Sequence, residues 1–354
     1  MSRLSILATA LCGLALAACG PQDLQQKAAS AITEGVLLPA YSTWAQSNQQ
    51  LAGNAQAFCN GSQDLPSARQ AYLTAVGSWA ALQPLLIGPL AEGNRAWQVQ
   101  FWPDKKNLVQ RQVEALLKSK PQLSVADLDK SSVVLQGLTA YEYVLFDPAI
   151  DLDDAAQKSR YCPLLIAIGQ HQQQLSATVL SQWQAKDGMA EQLKTFPNTR
   201  YNESTEAVAD LLRTQVSGID GLKKKLGTAL GRQSKGIAQP YQAEFWRSNA
   251  SIASLASALA SAERVWLGAN QDGIKALLGS EQADLAQRID QQYSATRQQL
   301  ASLERPLGEL LTDEAGRAEL NAFYDSLNQL HRLHEGELAK ALGIQLGFNA
   351  HDGD

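Results

Sequence analysis

Along most of the 354-residue chain, apolar residues recur every three or four positions, as on one face of an α-helix. The strict alternation of a half-buried strand is weak throughout. Ala, Leu and Gln are abundant in these stretches and favour helix. The pattern predicts an all-α fold. A first helix is expected over residues 24–58, with Ile32, Val36, Tyr41, Trp44 and Leu51 on its inner side and Pro39 bending it or ending its first part. A second spans 66–86, opened by Pro66 and stopped by Gly88-Pro89. After an irregular link over 88–105, a third helix ends near Leu117, a fourth runs from Ser124 to just before Pro148, and a fifth covers 155–184. Four more are expected over 204–226, 248–267, 280–302 and 313–342, the last with Thr312 as its cap and Asp313 in its first turn. These make two bundle-sized sets, dividing the chain into residues 19–186 and 187–354 behind a leader of residues 1–18.

The leader follows from its own pattern. Arg3 precedes a small and apolar run that ends in Leu16-Ala17-Ala18-Cys19. The run is short for a membrane span and has the length of a signal peptide. Small residues before a cysteine resemble a lipobox, which predicts a lipid anchor on Cys19 at the start of the mature chain. Gly20-Pro21 follows with no aspartate, which points to the periplasmic face of the outer membrane. No later segment is long and apolar enough to span a bilayer. The whole chain carries 30 basic and 35 acidic residues. No basic run stands out, which argues against nucleic acid as a partner. Cys59 and Cys162 are the cysteines left in the mature body, either bridged or as two separate buried thiols.

Candidate chemistry centres on GLTAYEY, residues 137–143. Glu142 is the one charged residue in the apolar run 133–146. A helix apolar on most sides is a buried helix, and a lone buried carboxylate is costly unless it is paired, binds a cation or takes up a proton. Glu142 therefore reads either as an ion pair with an arginine from another helix or as a ligand-facing or metal-facing group. Thr139 lies three residues before it on nearly the same face. Gly137, read as a mid-helix glycine, would admit another backbone or a ligand. Asp104, in Trp102-Pro103-Asp104, is either a helix cap or a second acid beside Glu142. Arg247 is a counter-charge to either acid, an anion anchor, or a solvated helix residue. Ser234 and Lys235, in the glycine-flanked loop 231–236, either line the same opening or form a plain surface loop. His331 and His334, with Glu335 adjoining, share a helix face that either could hold a metal or is a wet surface, and His171 lies in a run of glutamines and reads as exposed helix. Residues 97–102 (WQVQFW) and 241–246 (YQAEFW) echo one another, a hint of duplication with divergence.

GLTAYEY, with FWPDKKN before it, LGFNAHDGD at the C-terminus, Phe58-Cys59, the AEFWRS stretch at 243–248 and the 231–236 loop, resembles the imelysin family over essentially the whole mature chain. The resemblance implies two helical bundles related by a cryptic duplication, a cell-envelope location and links to iron. The founding members were described as metallopeptidases with a Gly-x-His-x-x-Glu motif. Gly137 and Glu142 match it, whereas Thr139 stands at the histidine. Threonine is a poor neutral ligand for zinc or iron(II), so a hydrolytic metal site is not expected. The reading is a tethered binding or accessory protein in iron or other metal handling. Its site would lie at an interdomain cleft, with Glu142 and Asp104 toward a metal and Trp102, Thr139, Ser234 and Arg247 around the ligand. Iron or zinc, an iron complex, haem or a peptide is the expected ligand. The alternatives are a metallopeptidase and a non-catalytic peptide- or protein-binding module.

Overall fold

The computed structural model describes residues 23–346, and no β-strand occurs among them. The leader, Cys19 and the tail from 347 onward, with His351, lie outside the described residues. The chain begins with α1 (Leu24–Ile32) and α2 (Leu38–Cys59), which a π-helical turn over Thr33–Leu37 joins into one rod. Pro39 falls in the first turn of α2, and the wider turn ahead of it accommodates the missing N–H. Next is α3 (Leu65–Leu82), capped by Asp64, whose carboxylate accepts the Ser67 N–H at 2.9 Å. A 3₁₀ turn, Gln83–Leu85, extends it.

Short elements follow: α4 (Arg95–Val99), α5 (Leu108–Ser119), α6 (Val125–Asp129), α7 (Val133–Gln136) and α8 (Leu138–Phe146). In place of the single helix expected over 124–147 there are three. Gly137 is the reason for the last break. It is the N-cap of α8, in extended conformation, and a Cβ there would lie 2.3 Å from the Val99 carbonyl oxygen. The glycine is thus required by a close backbone approach at a helix start, and it is not a mid-helix residue. The first set closes with α9 (Ala155–Gln184), capped by Asp154.

After a single turn, α10 (Met189–Gln192), the second set comprises α11 (Ser204–Ala229), α12 (Ser251–Leu267), α13 (Ala283–Ala301), the turn α14 (Leu307–Leu310) and α15 (Glu314–Arg332). A second π-helical turn, Leu333–Leu338, follows. Asp313, not Thr312, caps α15, accepting the Gly316 N–H at 2.7 Å. The described part of the chain is thus an all-α fold with two helix clusters.

Each cluster has its own contacts. In the first, α2 packs against α3 and α9, and a Cys59–Cys162 disulfide ties the end of α2 to α9. In the second, α15 packs against α11 and α13. The clusters meet along two lines, α3 against α12 and α1 against α11. Gly218 of α11 abuts Pro84: a Cβ on this glycine would lie 2.4 Å from the Pro84 Cα, so the two bodies are closely applied there. Leu85, Leu212, Ile219 and Leu259 are all buried, and apolar burial is what holds such a seam together.

Candidate functional site

Glu142 projects from α8 into the seam and is 1% exposed. Its partner is not an arginine. Glu142 Oε1 accepts the Ser248 N–H at 3.0 Å and the Ser248 hydroxyl at 2.6 Å. Ser248 belongs to the loop that leads into α12, so the contact joins the two clusters. Burial pushes the Glu142 carboxyl up to about 7; the Ser248 donors and the Arg247 charge pull the other way, and Glu244 adds to the rise. Two donors from one residue do not offset the loss of water around a carboxylate.

Arg247 is buried against a third acid. Its Nε donates to Asp147 Oδ2 at 2.9 Å, and its guanidinium lies over the rings of Trp246 at 4.4 Å and Tyr143 at 5.3 Å. Asp147 immediately follows α8, so this ion pair runs beside the Glu142–Ser248 contact. Asp104 does not share Glu142's partners. Its two oxygens accept the Leu108 and Val109 N–H groups at 2.7 and 3.1 Å, at the start of α5. The Thr139 hydroxyl donates to the Phe101 carbonyl at 2.9 Å, outside its own helix. Trp102 donates its indole N–H to the Gln242 carbonyl at 3.0 Å. Ser234 lies half-buried in the 231–236 loop, where its N–H donates to the Gly231 carbonyl at 2.8 Å.

The two echoing segments therefore meet in space. Trp102 bonds to Gln242 across them, and Gln83 bridges equivalent positions. Gln83 Nε2 donates to Glu244 Oε1 at 2.7 Å and reaches Gln100 Oε1 at 3.4 Å. Gln100 also accepts the Trp79 indole N–H at 2.6 Å. Glu244 is buried and paired with Lys225, whose ammonium burial pushes down while Glu244 holds it up.

Several polar atoms at this seam have no partner among the described residues: the Tyr72 hydroxyl, Gln83 Oε1 and the Ser254 hydroxyl. Tyr72 has Ser248 and Glu142 as polar neighbours, and burial drives its hydroxyl well above the usual range. Ser254 lies three residues beyond Ser251, the residue that donates its hydroxyl to the Glu244 carbonyl. Ser248, Tyr72, Asp147 and the Glu244–Lys225 pair do not stand out as site residues in the sequence. Glu244 carries a signal, a charge between Ala243 and Phe245. Tyr72 carries none, being one aromatic among many.

The three histidines among the described residues are elsewhere and are not on wet surfaces. His334 is fully buried, its Nδ1 facing the Leu330 carbonyl at 2.9 Å and its Nε2 3.3 Å from the Tyr293 hydroxyl. His331 is buried one turn away, with Glu335 at 3.6 Å. His171 is buried against Asp129 at 2.6 Å. Their positions correct the exposed readings: each helix turns its imidazole inward. Among the described residues, no three His, Cys, Asp or Glu side chains are grouped to hold a metal ion.

Residues 37–334 match the sequence profile of the imelysin family, peptidase family M75. The chain belongs to the imelysin family. The fold agrees. An imelysin-like protein from Psychrobacter arcticum 273-4 superposes with a TM-score of 0.78 at 20% identity, covering 92% of this chain and 98% of that one. A putative iron-regulated protein A precursor from Parabacteroides distasonis ATCC 8503 does so with a TM-score of 0.72 at 17% identity, covering 92% and 97%. No curated protein sequence matches significantly.

A metal bound directly by protein side chains, as the family's peptidase description implies, does not fit this set. Glu142 is the one acid of this group not spent on a cation or a helix start, Thr139 is engaged by Phe101, and no imidazole lies among Glu142's partners. What the seam offers is oxygen and amide groups from Glu142, Ser248, Tyr72, Gln83 and Ser254, flanked by two buried ion pairs.

Proposed function

We propose that this imelysin-family protein is a non-hydrolytic binding protein of the cell envelope that takes part in iron or other metal handling. Its ligand is a metal complex that keeps its own donor atoms, held at the seam around Glu142 between the two helix clusters. One observation carries the reading: a buried carboxylate held by the two donors of Ser248, beside buried polar atoms with spare hydrogen-bonding capacity and without the imidazoles of a hydrolytic zinc site. A site of that kind suits a polar, oxygen-rich ligand better than a bare ion. The link to iron is supported by family membership and by the description of one structural neighbour as iron-regulated. The leader and the cysteine at position 19 support the envelope location.

The test is calorimetric titration of the protein with iron(III) citrate, with citrate alone, and with iron(II) and zinc(II) ions, in wild type and Glu142→Gln. The expected result is near-stoichiometric binding of iron(III) citrate, weakened about tenfold by the substitution, a loss of about 1.4 kcal/mol. The free ions are expected to bind without fixed stoichiometry. Tight one-to-one zinc binding with peptide cleavage would overturn the proposal, as would equal binding by both proteins.

A further inference from the structure

Glu142 lies under a thin cover. The carboxylate is 1% exposed and Tyr72 is fully buried. Yet Ser248, which holds Glu142, is only half-buried, and Asn249 next to it is exposed. The turn Trp246–Asn249, in the loop that leads into α12, therefore separates the carboxylate from solvent by about one residue's thickness on that side. With Glu142 and Tyr72 both buried, a ligand of several atoms cannot reach them unless some element moves.

This loop has a closed neck and a lightly held tip. At the neck, the Ala250 N–H donates to the Phe245 carbonyl at 3.1 Å, and the Ser251 hydroxyl donates to the Glu244 carbonyl. Phe245, Ala250 and Ser251 are buried. The tip is held to the first cluster by polar groups instead, Arg247 by Asp147 and Ser248 by Glu142. Water or a ligand can take over such contacts at small net cost, which is not true of apolar burial. Phe245 and Asn249 bracket the tip in left-handed backbone, with φ of 53° and 56°. Residues with a Cβ keep that conformation where their surroundings impose it. Burial imposes it on Phe245. Asn249 is exposed, and its N–H reaches the Trp246 carbonyl only at 3.4 Å. Beyond Asn249 there is room. It borders an open groove of about 690 Å³, shared with Ile252 and Ala256 of α12 and with Leu300 and Leu303 at the end of α13 and just past it.

We propose that Trp246–Asn249 is a lid on the Glu142 site. It opens by a change of backbone at Asn249 toward the groove, while the neck stays paired, and its opening limits how fast the ligand enters and leaves. Opening frees Glu142 from Ser248 and uncovers the Tyr72 hydroxyl; closing returns Arg247 to Asp147 over the occupied site. The broad seam need not part, since Gly218 and Pro84 keep the clusters closely applied elsewhere. This role rests on the reading of Glu142 as the ligand-facing acid.

The experiment has one arm with ligand and one without, both on the full chain. In stopped-flow mixing with iron(III) citrate, followed by tryptophan fluorescence, the association rate should level off at high concentration at the rate of lid opening. Asn249→Ala should raise that plateau about tenfold, because alanine tolerates the left-handed backbone of the closed lid less well than asparagine. Asn249→Gly, which meets no such cost, should not raise it. Without ligand, hydrogen exchange read residue by residue should show the Ser248 N–H, whose acceptor is Glu142, exchanging faster than the amides within α8 and α12. Asn249→Ala should speed that one amide about tenfold and leave the helices unchanged. A rate that rises linearly without a plateau, a Ser248 amide that exchanges only together with α8 and α12, or equal behaviour of the alanine and glycine variants would overturn the lid. If iron(III) citrate does not bind at all, the reading of the ligand fails, and the exchange arm alone decides whether the lid opens. The wild-type measurements stand even if Asn249→Ala does not fold.

Discussion

Glu142 is a carboxylate held at the junction of two helix clusters by both donors of one serine. Its carboxyl, ordinarily near 4.5, is raised to about 7 by burial. The sign of the resulting pH dependence follows. Below about 4.5 the group is neutral in the folded and unfolded states and costs nothing. As pH rises from about 4.5 to about 7, the unfolded carboxyl releases its proton while the buried one keeps it, and stability falls by roughly 3 kcal/mol before levelling off. Glu142→Gln keeps an oxygen for the two Ser248 donors and carries no charge. The variant should match wild type below about pH 4.5, gain on it between pH 4.5 and 7, and keep a constant margin above 7, read from unfolding midpoints over that range. A constant difference at all pH values would show that Glu142 is not the buried acid described. The sequence exposes this residue well, because one charge in a fourteen-residue apolar run has few physical explanations. It does not expose the partner. Ser248 and Tyr72 are short or common side chains whose role comes from tertiary placement alone, and Arg247 takes Asp147, an acid just past the end of the run.

Among the elements, helix periodicity is legible wherever one apolar face is long, as in α9 and α11. It fails over 124–147, where the residues are apolar on most sides and the pattern has no phase. The break at Gly137 is set by the Val99 carbonyl, a residue 38 positions away that no local rule can see. Gly137→Ala should cost about 1–3 kcal/mol, because the backbones of two segments must separate to admit a methyl group. Thermal unfolding checks this, and an unchanged midpoint would contradict the close approach. The sequence leaves the Cys59–Cys162 disulfide open, since connectivity depends on how α2 and α9 pack. The bridge closes a loop with a sequence separation of 103 residues. Cys59→Ser/Cys162→Ser should lose about 2–4 kcal/mol, with helix content kept, by circular dichroism and denaturant unfolding.

At the scale of the whole molecule, the two clusters carry buried titratable groups of opposite sense. His334 is pushed down to about 4 by burial. Its contribution is fully present above its ordinary value of 6.5 and is lost as pH falls through 4, by roughly 3 kcal/mol. Glu142 does the reverse over nearly the same range. Between pH 4.5 and 6.5 the two partly cancel in wild type. Removing one should expose the other: Glu142→Gln should lose stability more steeply than wild type on acidification, and His334→Phe less steeply. Parallel profiles for all three proteins would contradict the assignment. All-helical architecture and imelysin membership are readable because they rest on pattern summed over hundreds of residues. The meeting of the 97–102 and 241–246 echoes is not, since nothing in two six-residue strings says that they touch.

The central claim is that the seam around Glu142 holds a metal complex. It is tested most directly by iron-edge anomalous diffraction from crystals of the protein grown with iron(III) citrate. The account predicts an iron peak at the seam, beside Glu142, Tyr72 and Ser248, and no such peak in Glu142→Gln crystals grown the same way. An iron peak elsewhere in the molecule, or a seam empty of iron in both proteins, would contradict it.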